Sequence, residues 1–335
     1  MGNVVASPDL LFLHLSDIHF RGGRTNDVHD EDRELRNELL RDLRRLRSAL
    51  PRVDGLFVSG DVAFAGKPEE YEIAANWIDS IQEAVACPRE GIMVTPGNHD
   101  VDRDQVPDGG ELATLQDRIR KGSSLAERDS ALAQVLRHPT DGAQLFASMS
   151  AYMQFAERYG CSVSPTLPYW ERAFKLRDGS ILKFRGLTTT LLSGPHDDDQ
   201  THKMFYGSAQ RIILRDDKVR HVVVGHHPPS WCFEGDDAER IWSARTVLQA
   251  FGHKHDQWII PIGNSVRLIA GAFHPDRREP QWLPRYSAIA FTAQDQSHVA
   301  LRIYPRRWSF EELSFIPDFN SQGVDYREYV LTVDA

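Results

Sequence analysis

The stretch LLFLHLSDIHF, residues 10–20, joins a run of apolar residues to an acid and a histidine. The same arrangement returns twice, in GLFVSGDVAFAG (55–66) and in GIMVTPGNHD (91–100). Each apolar run has the length of a buried strand, and segments with helical leucine spacing separate the runs. Strands that alternate with helices in this way predict a βαβαβ unit, and therefore an α/β fold with a parallel sheet.

The rest of the chain divides into a helical part and further strands. Residues 101–175 lack strand-like runs and contain amphipathic pieces such as AQLFASMSAYMQFAERYG, which predicts a helical insertion after the TPGNHD turn. Strand-like runs return as ILKFRGLTTTLL, HVVVGHHPP, VRLIAGAF, YSAIAFTA and HVALRIYP, and the last three are predicted to be antiparallel. Helices are predicted between them at SAQRIILRDD and AERIWSARTVLQA.

We therefore expect one domain over residues 8–335, with a cap-like insertion at 101–175 and an antiparallel strand region at 280–335. The strand-like ending REYVLTVDA leaves open that the chain is a module of a longer protein with further domains.

Composition sets broad limits on the class of protein. The 335 residues are 41% hydrophobic, which suffices for a large core, and the net charge of -9 argues weakly against indiscriminate binding to polyanions. The three cysteines are far apart and indicate neither a disulfide framework nor a thiolate metal site. No signal peptide or membrane span is evident, so we expect a cytoplasmic protein that does not contact a membrane.

Acids, amides and histidines follow or border five of the apolar runs. The carboxyl ends of parallel strands meet at one edge of a sheet, so these clusters are expected to become neighbours. Carboxylate oxygen and imidazole nitrogen without thiolate form a ligand set for manganese, iron or zinc, and the number of ligands suits two ions. The clusters are Asp17-Ile18-His19, Gly60-Asp61, Gly97-Asn98-His99-Asp100, His226-His227-Pro228 and Gly252-His253-Lys254-His255.

These five ordered motifs, between about residues 10 and 275, resemble those of the calcineurin-like metallophosphoesterases. The resemblance implies a two-sheet β-sandwich flanked by helices, with two divalent metal ions, Mn²⁺ being favoured over Fe or Zn. It further implies a hydroxide held between the metals that attacks phosphorus. The chain reads GDVAFAG and GNHD where protein Ser/Thr phosphatases have GDVDRG and GNHE, so it is more similar to the bacterial phosphodiesterase branch.

The resemblance also implies a role for each residue of the site. One metal would be held by Asp17, His19 and His255, the other by Asn98, His226 and His253, and Asp61 would bridge them. His99 would not bind metal but would protonate the leaving oxygen, and Asp100 would orient its ring.

Three neighbouring positions need separate interpretation. His14 is predicted to be a hydrogen-bonded core histidine. His227 is predicted to support a ligand or the substrate, without a settled role. Relatives often carry an acidic or polar residue where Phe64 and Ala65 stand, which puts substrate contacts near that loop in doubt.

The sequence favours a phosphodiesterase that acts on nucleotides or on DNA or RNA. Two alternatives remain open: a small-molecule hydrolase, acting on cyclic nucleotides, glycerophosphodiesters or phosphomonoesters, and a non-catalytic binding scaffold. A nuclease needs a basic channel beside the metals. The candidates for phosphate contacts are Arg21, Arg24, Arg103, Arg277, Arg278, Arg285, Arg306 and Arg307.

Overall fold

Two sheets form the centre of the molecule in a computed structural model that describes residues 7–23, 28–49, 52–197, 203–278 and 282–332. The strands of the first sheet are β1 (Leu10–Leu15), β2 (Gly55–Ser59), β3 (Ile92–Thr95), β10 (Arg285–Asp295), β11 (His298–Ser309), β12 (Ser314–Pro317) and β13 (Arg327–Thr332). Their order is β12-β11-β10-β1-β2-β3, and β13 pairs with β11. β1, β2 and β3 are parallel, whereas β10 to β13 are antiparallel to their partners.

The second sheet contains β4 (Tyr169–Lys175), β5 (Ile181–Leu187), β6 (Val219–Val224), β7 (Thr246–Phe251), β8 (Trp258–Ile262) and β9 (Ser265–Ile269). Its order is β4-β5-β6-β7-β9-β8, with four parallel strands in the middle and an antiparallel strand at each edge. In both sheets the parallel strands are almost wholly buried, as expected for strands covered on two faces.

Helices cover the sheets. α1 (Arg33–Ala49) and α2 (Pro68–Val85) contact each other, and α1 also contacts β12. α3 (Glu111–Arg120), α4 (Leu125–Arg137), α5 (Pro139–Ala147) and α6 (Ser150–Glu157) follow β3, while α7 (Ser208–Arg211) and α8 (Gly235–Arg245) belong to the second half. The two-sheet architecture with outer helices confirms the predicted fold class. Among the described residues, no helix is both long enough and apolar enough to span a membrane.

The structure corrects three sequence predictions. The helical insertion does not extend over 101–175, because its last seven residues form β4, which pairs with β5. The segment AERIWSARTVLQA is a helix only as far as Arg245, and its TVLQA part is the buried strand β7. The run VRLIAGAF is not antiparallel to the runs after it, since β9 pairs in parallel with β7 in the other sheet.

Aromatic side chains hold the two sheets together. The ring of Phe12 on β1 lies 4.8 Å from that of Phe184 on β5 and 4.9 Å from that of Phe174 on β4, between ring centroids. On its own sheet, Phe12 contacts Phe291 of β10 at 6.1 Å. Phe12 is fully buried, so this cluster contributes both apolar burial and edge-to-face ring contacts.

We expect Phe12→Ala to lower the free energy of unfolding by roughly 3–5 kcal/mol, because it leaves a cavity between the sheets. Urea denaturation at equilibrium, followed by tryptophan fluorescence, measures the change. Phe319→Ala is the matched control: this ring is 57% exposed, so its removal should change the stability by no more than about 0.5 kcal/mol. A loss below about 1 kcal/mol for Phe12→Ala would contradict the role given to the cluster.

Candidate metal centre and active site

The five polar motifs meet where parallel strands of both sheets end. Asp17 and His19 follow β1, Asp61 follows β2, and Asn98 follows β3 in the first sheet. From the second sheet come His226 and His227 after β6, and His253 and His255 after β7. The structure therefore brings together all seven residues predicted as metal ligands.

Main-chain hydrogen bonds join these loops, the first of the following two within the second sheet and the other between the two sheets. Gly252 N donates to His226 O (3.0 Å), and Phe273 N donates to Ser16 O (2.9 Å). The approach is so close that a Cβ at Gly252 would lie 2.1 Å from Ser16 Oγ, and one at Gly97 would lie 2.1 Å from Asp61 Oδ1. Glycine is therefore required at both positions.

Backbone strain is concentrated in this site. Eight non-glycine residues in the described part of the chain have positive φ, and five of them are predicted ligands: Asp17 (54°), His19 (54°), Asp61 (54°), His253 (72°) and His255 (57°). Each such residue costs of order 1–3 kcal/mol, and strain of this kind persists where the surroundings enforce it. Its clustering here marks a functional site.

One ligand group consists of Asp17, His19 and His255, whose ligand atoms lie within 4.8 Å of one another. His255 Nε2 is 3.4 Å from Asp17 Oδ1, and His19 Nε2 is 3.9 Å from Asp61 Oδ2. Asp61 therefore borders this group.

The second group surrounds Asn98. Its Oδ1 lies 3.1 Å from His226 Nε2 and 3.1 Å from His253 Nδ1, and His226 Nε2 is also 3.1 Å from Asp61 Oδ2. The Asp61 carboxylate thus borders both groups.

The donor atoms themselves fit a cation. His226 Nδ1 faces the carbonyl oxygen of Ser59 at 2.9 Å, so Nδ1 carries a hydrogen and, whenever the ring is neutral, its lone pair is at Nε2. That lone pair lies close to Asp61 Oδ2 and Asn98 Oδ1, which are also acceptors. Three acceptors directed at one point repel one another unless a positive charge lies between them.

Electrostatics keeps two histidines and both carboxyls in the protonation states that metal binding needs, whereas a metal ion would have to displace a proton from His226. Burial lowers the pKa of His19 and of His253 to about 3, the charge of neighbouring histidines adding to the effect, so both rings are neutral. Burial opposes ionisation of Asp17 and Asp61, yet the nearby histidines hold the pKa of both carboxyls well below the usual range. Burial acts to lower the pKa of His226, but Asp61 and Asp17 outweigh it and raise that pKa to about 9, which shows how strongly the site attracts positive charge.

His99 lies beside this cluster with one ring nitrogen within 4.8 Å of ligand atoms of His19 and Asp61. Its Nδ1 is 2.7 Å from the main-chain carbonyl oxygen of Phe64, and its main-chain N donates to Asp61 Oδ1 at 2.8 Å. The ring is partly exposed, unlike most of the predicted ligands.

The structure corrects the role predicted for Asp100. Its buried carboxylate does not hold the ring of His99 but accepts hydrogen bonds from Ala63 N, Val62 N, Gly97 N and Tyr71 Oη. The short 3₁₀ turn Asn98–Asp100 directs Asp100 inward and His99 outward, so adjacent residues face opposite sides. Asp100 therefore fixes the loop after β2 and acts on His99 only through that loop.

His14 is the core histidine that the sequence predicts: it is buried, and its Nε2 lies 2.8 Å from Ser59 Oγ. His227 is buried beside His226 and His253, with Nδ1 2.8 Å from Thr189 Oγ1.

A cleft of about 460 Å³ opens from His19, His99 and His255. Four arginines and four acids line it: Arg21, Arg36, Arg277, Arg278, Asp30, Glu31, Asp32 and Asp276. Most of these charges are paired, since Arg36 binds Asp30, Arg277 binds Glu31 (2.9 Å) and Asp32 (3.5 Å), and Arg278 binds Asp276 (2.9 Å). The cleft thus carries little net charge.

Only part of the predicted basic set lies on this cleft. Arg21, Arg277 and Arg278 line it, whereas Arg306 binds Asp42, and Arg285 and Arg307 contact Asp318. Arg103 is absent from the cleft lining, and Arg24 lies outside the described residues.

Sequence reasoning missed His274 and the main-chain contribution of Phe64. His274 follows β9, lines the cleft, and is anchored by Nδ1 to Ile18 O (2.6 Å) and by its main-chain N to Asp17 O (3.0 Å). The sequence GAFHP repeats the signal of an apolar run that ends in histidine, so the same pattern could have found it. A carbonyl contact such as that of Phe64 leaves no signal in the sequence.

The chain belongs to the calcineurin-like phosphoesterase family, which it matches over residues 10–257. A glycerophosphodiester phosphodiesterase, GpdQ of Enterobacter lignolyticus, is 33% identical over 92 residues, which are 27% of this chain and 30% of that protein. An uncharacterised metallophosphoesterase-like protein of Bacillus subtilis, YydB, is 22% identical over 280 residues, or 79% of this chain and 54% of that protein.

Among solved structures, purple acid phosphatase PPD1 from yellow lupin (Lupinus luteus) seeds superposes with a TM-score of 0.50 at 11% identity. The match covers 97% of this chain and 54% of the phosphatase, and it supports the shared fold. The chain therefore spans about half the length of YydB and of the lupin phosphatase, and its match with GpdQ covers about a third of that protein.

We expect Asp61→Ala to lower the metal content of both ligand groups, because the carboxylate that borders both is lost. Elemental analysis after dialysis against trace metal measures this, with Asp102→Ala as control, since Asp102 binds Lys67 and Gln105 outside the ligand groups. Two tightly held ions in Asp61→Ala would contradict a shared ligand.

Proposed function

We propose that this chain is a binuclear metal-dependent phosphodiesterase that hydrolyses small phosphodiesters. The observation that carries the proposal is the convergence of two oxygen and nitrogen ligand groups on Asp61, with His99 beside them and a charge-balanced cleft in front. In this proposal Asp17, His19 and His255 would hold one ion and Asn98, His226 and His253 the other, with Asp61 available to both.

The donor set suits Mn²⁺, with Fe or Zn as alternatives, because it combines carboxylates and an amide with neutral imidazoles. Two such ions supply a nucleophile at neutral pH and neutralise charge that develops on the phosphoryl oxygens. The residues around them bind and orient the diester and donate a proton to the leaving group.

His99 is the proposed proton donor. Its Nδ1 is committed to the carbonyl oxygen of Phe64, so Nε2 is the nitrogen that can exchange a proton with the leaving oxygen. Loops of the first sheet hold the imidazole in place through Phe64 and His19, which lowers the entropic cost of bringing an acid to the substrate.

The charge pairing in the cleft supports a small diester over nucleic acid. A nuclease gains most of its affinity from unpaired cations along the phosphate backbone. Here Arg277 and Arg278 bind acids of the same cleft, and those acids would repel a second phosphate. The diesterase named among the relatives also favours a diester over a monoester.

Nucleic acid remains the second candidate, because Arg21, Arg277 and Arg278 do lie beside the ligand groups. A cytoplasmic location is part of the proposal: Cys87, Cys161 and Cys232 are buried and free, as thiols commonly are in reducing compartments. A scaffold role is the non-enzymatic alternative, which turnover would exclude.

The purified chain, supplied with Mn²⁺, should hydrolyse bis(p-nitrophenyl) phosphate and glycerophosphodiesters faster than p-nitrophenyl phosphate, cyclic nucleotides or single-stranded DNA. KM for the small diesters should change little between 50 and 200 mM salt, because few counterions are released. Preferred cleavage of DNA with affinity that falls steeply with salt would support the nuclease instead. Absence of turnover on every phosphoester would favour the scaffold.

His99→Ala should retain both metals and lower kcat for a glycerophosphodiester by roughly two to four orders of magnitude, because an alkoxide leaves poorly without a proton. With a nitrophenolate leaving group the loss should be smaller. Steady-state kinetics on the two substrates, with metal analysis of the same samples, tests this. Equal losses on both substrates would exclude proton donation as its main role.

A further inference from the structure

The carbonyl oxygen that holds the ring of His99 comes from Phe64, in the loop after β2. The contact between His99 Nδ1 and Phe64 O is 2.7 Å, a short hydrogen bond. A carbonyl oxygen can only accept, so Nδ1 carries a hydrogen whether the ring is neutral or protonated. The main chain thus performs the orienting task that the sequence assigned to Asp100.

Several contacts fix this carbonyl in space. Phe64 N donates to Phe20 O at 3.0 Å, which ties the loop after β2 to the loop after β1. Ala63 N donates to the buried carboxylate of Asp100 at 2.9 Å. The peptide unit that carries Phe64 O contains Ala65 N, which donates to Glu70 Oε2 at 2.9 Å, so this unit and the two before it are all held by hydrogen bonds.

The side chain of Phe64 adds a second restraint on His99. The guanidinium carbon of Arg21 lies 3.7 Å from the centroid of the Phe64 ring, and that ring lies 5.3 Å from the His99 ring with an angle of 36° between the planes. Although Phe64 is a large apolar residue, it is 36% exposed at the cleft. Arg21, Phe64 and His99 thus form a three-membered stack, called here the Phe64 stack.

We propose that Phe64 is the positioning residue of His99: its carbonyl oxygen selects the tautomer with hydrogen on Nδ1, and the Phe64 stack holds the ring so that Nε2 faces the leaving group. In the reaction the Nε2–H bond breaks and its proton forms an O–H bond with the leaving oxygen, which keeps the electron pair of the broken P–O bond. The oxygen of a water molecule forms the new P–O bond and one proton of that water passes to solvent, while the imidazolium, having lost its Nε2 proton, becomes the neutral ring with hydrogen on Nδ1. This inference rests on the proposed function only for its kinetic part.

Kinetics separates positioning from binding. Phe64→Ala should lower kcat for a glycerophosphodiester about 10- to 100-fold while KM changes by less than about threefold, because a misaligned acid affects the transition state and not ground-state binding. Phe64→Tyr keeps the ring and should recover most of the rate, whereas Arg21→Met, which removes the cation from the stack, should show an intermediate loss. Phe319→Ala, an exposed phenylalanine outside the cleft lining, is the matched control and should retain the wild-type rate.

A double-mutant cycle shows whether Phe64 acts through His99. In a His99→Ala background, Phe64→Ala should cause no further loss, because the group that it positions is already absent. A further loss as large as that of the single variant would overturn the proposal and indicate direct contact between Phe64 and the substrate. Loss of metal from Phe64→Ala would also overturn it.

An NMR measurement tests the tautomer without turnover. In the zinc-loaded protein with ¹⁵N-labelled histidine, His99 should show hydrogen on Nδ1, and Phe64→Ala should keep that tautomer, because the main-chain carbonyl at position 64 stays in place. A wild-type ring with hydrogen on Nε2 alone overturns the proposal even if the enzyme is active. An inactive protein that shows the expected tautomer would contradict the proposed function and leave the positioning contact supported.

Discussion

The carboxylate of Asp61 is buried at the junction of the two sheets, and the surrounding groups are arranged to stabilise its negative charge. A buried carboxylate is strongly destabilising unless hydrogen bonds and opposite charge surround it. Asp61 Oδ1 accepts from the main chain of His99, and Oδ2 lies 3.1 Å from His226 Nε2 of the other sheet. Gly97 must lack a side chain because any Cβ there would overlap Oδ1. One acid thus links loops that follow β2, β3 and β6.

The strained backbone around Asp61 depends on the rest of the fold for its stability. Residues in the left-handed region relax if they are free to do so. Asp17 and Asp61 are held there by main-chain bonds between loops, and His253 N donates to the carboxylate of Asp17. Those loops are in turn positioned by strands whose side chains pack between the sheets, as Phe12 does against Phe184. The packing of the apolar core therefore offsets the conformational strain of the site residues, which their local contacts alone would not maintain.

Charge is distributed unevenly between the ligand groups and the cleft in front of them. The ligand groups concentrate negative charge enough to raise the pKa of His226 to about 9, whereas the cleft pairs most of its arginines with acids. The cleft beyond the ligand groups is therefore a polar but nearly neutral surface, and this contrast is the basis of the proposal of a small diester substrate.

Much of the site could be predicted from the sequence because each ligand follows a buried strand directly, and parallel strands end at a common edge. The local pattern LLFLHLSDIHF already contains the strand, its end and two of the ligands. Other features of the structure depend on contacts between segments that are distant in the sequence. The segment TVLQA continues a helical pattern yet forms part of β7. A short apolar run fits the periodicity of a helix or of a strand, and here pairing with neighbouring strands determines the secondary structure. Arg277 is neutralised by Glu31, far away in sequence, and the ring of His99 is held by a main-chain carbonyl of another loop. The sequence by itself determined which residues could bind metal, since their chemistry and their place after a strand are local properties. Only the tertiary structure decided which group orients His99 and how much charge the cleft carries, because both depend on contacts between segments that no local pattern connects.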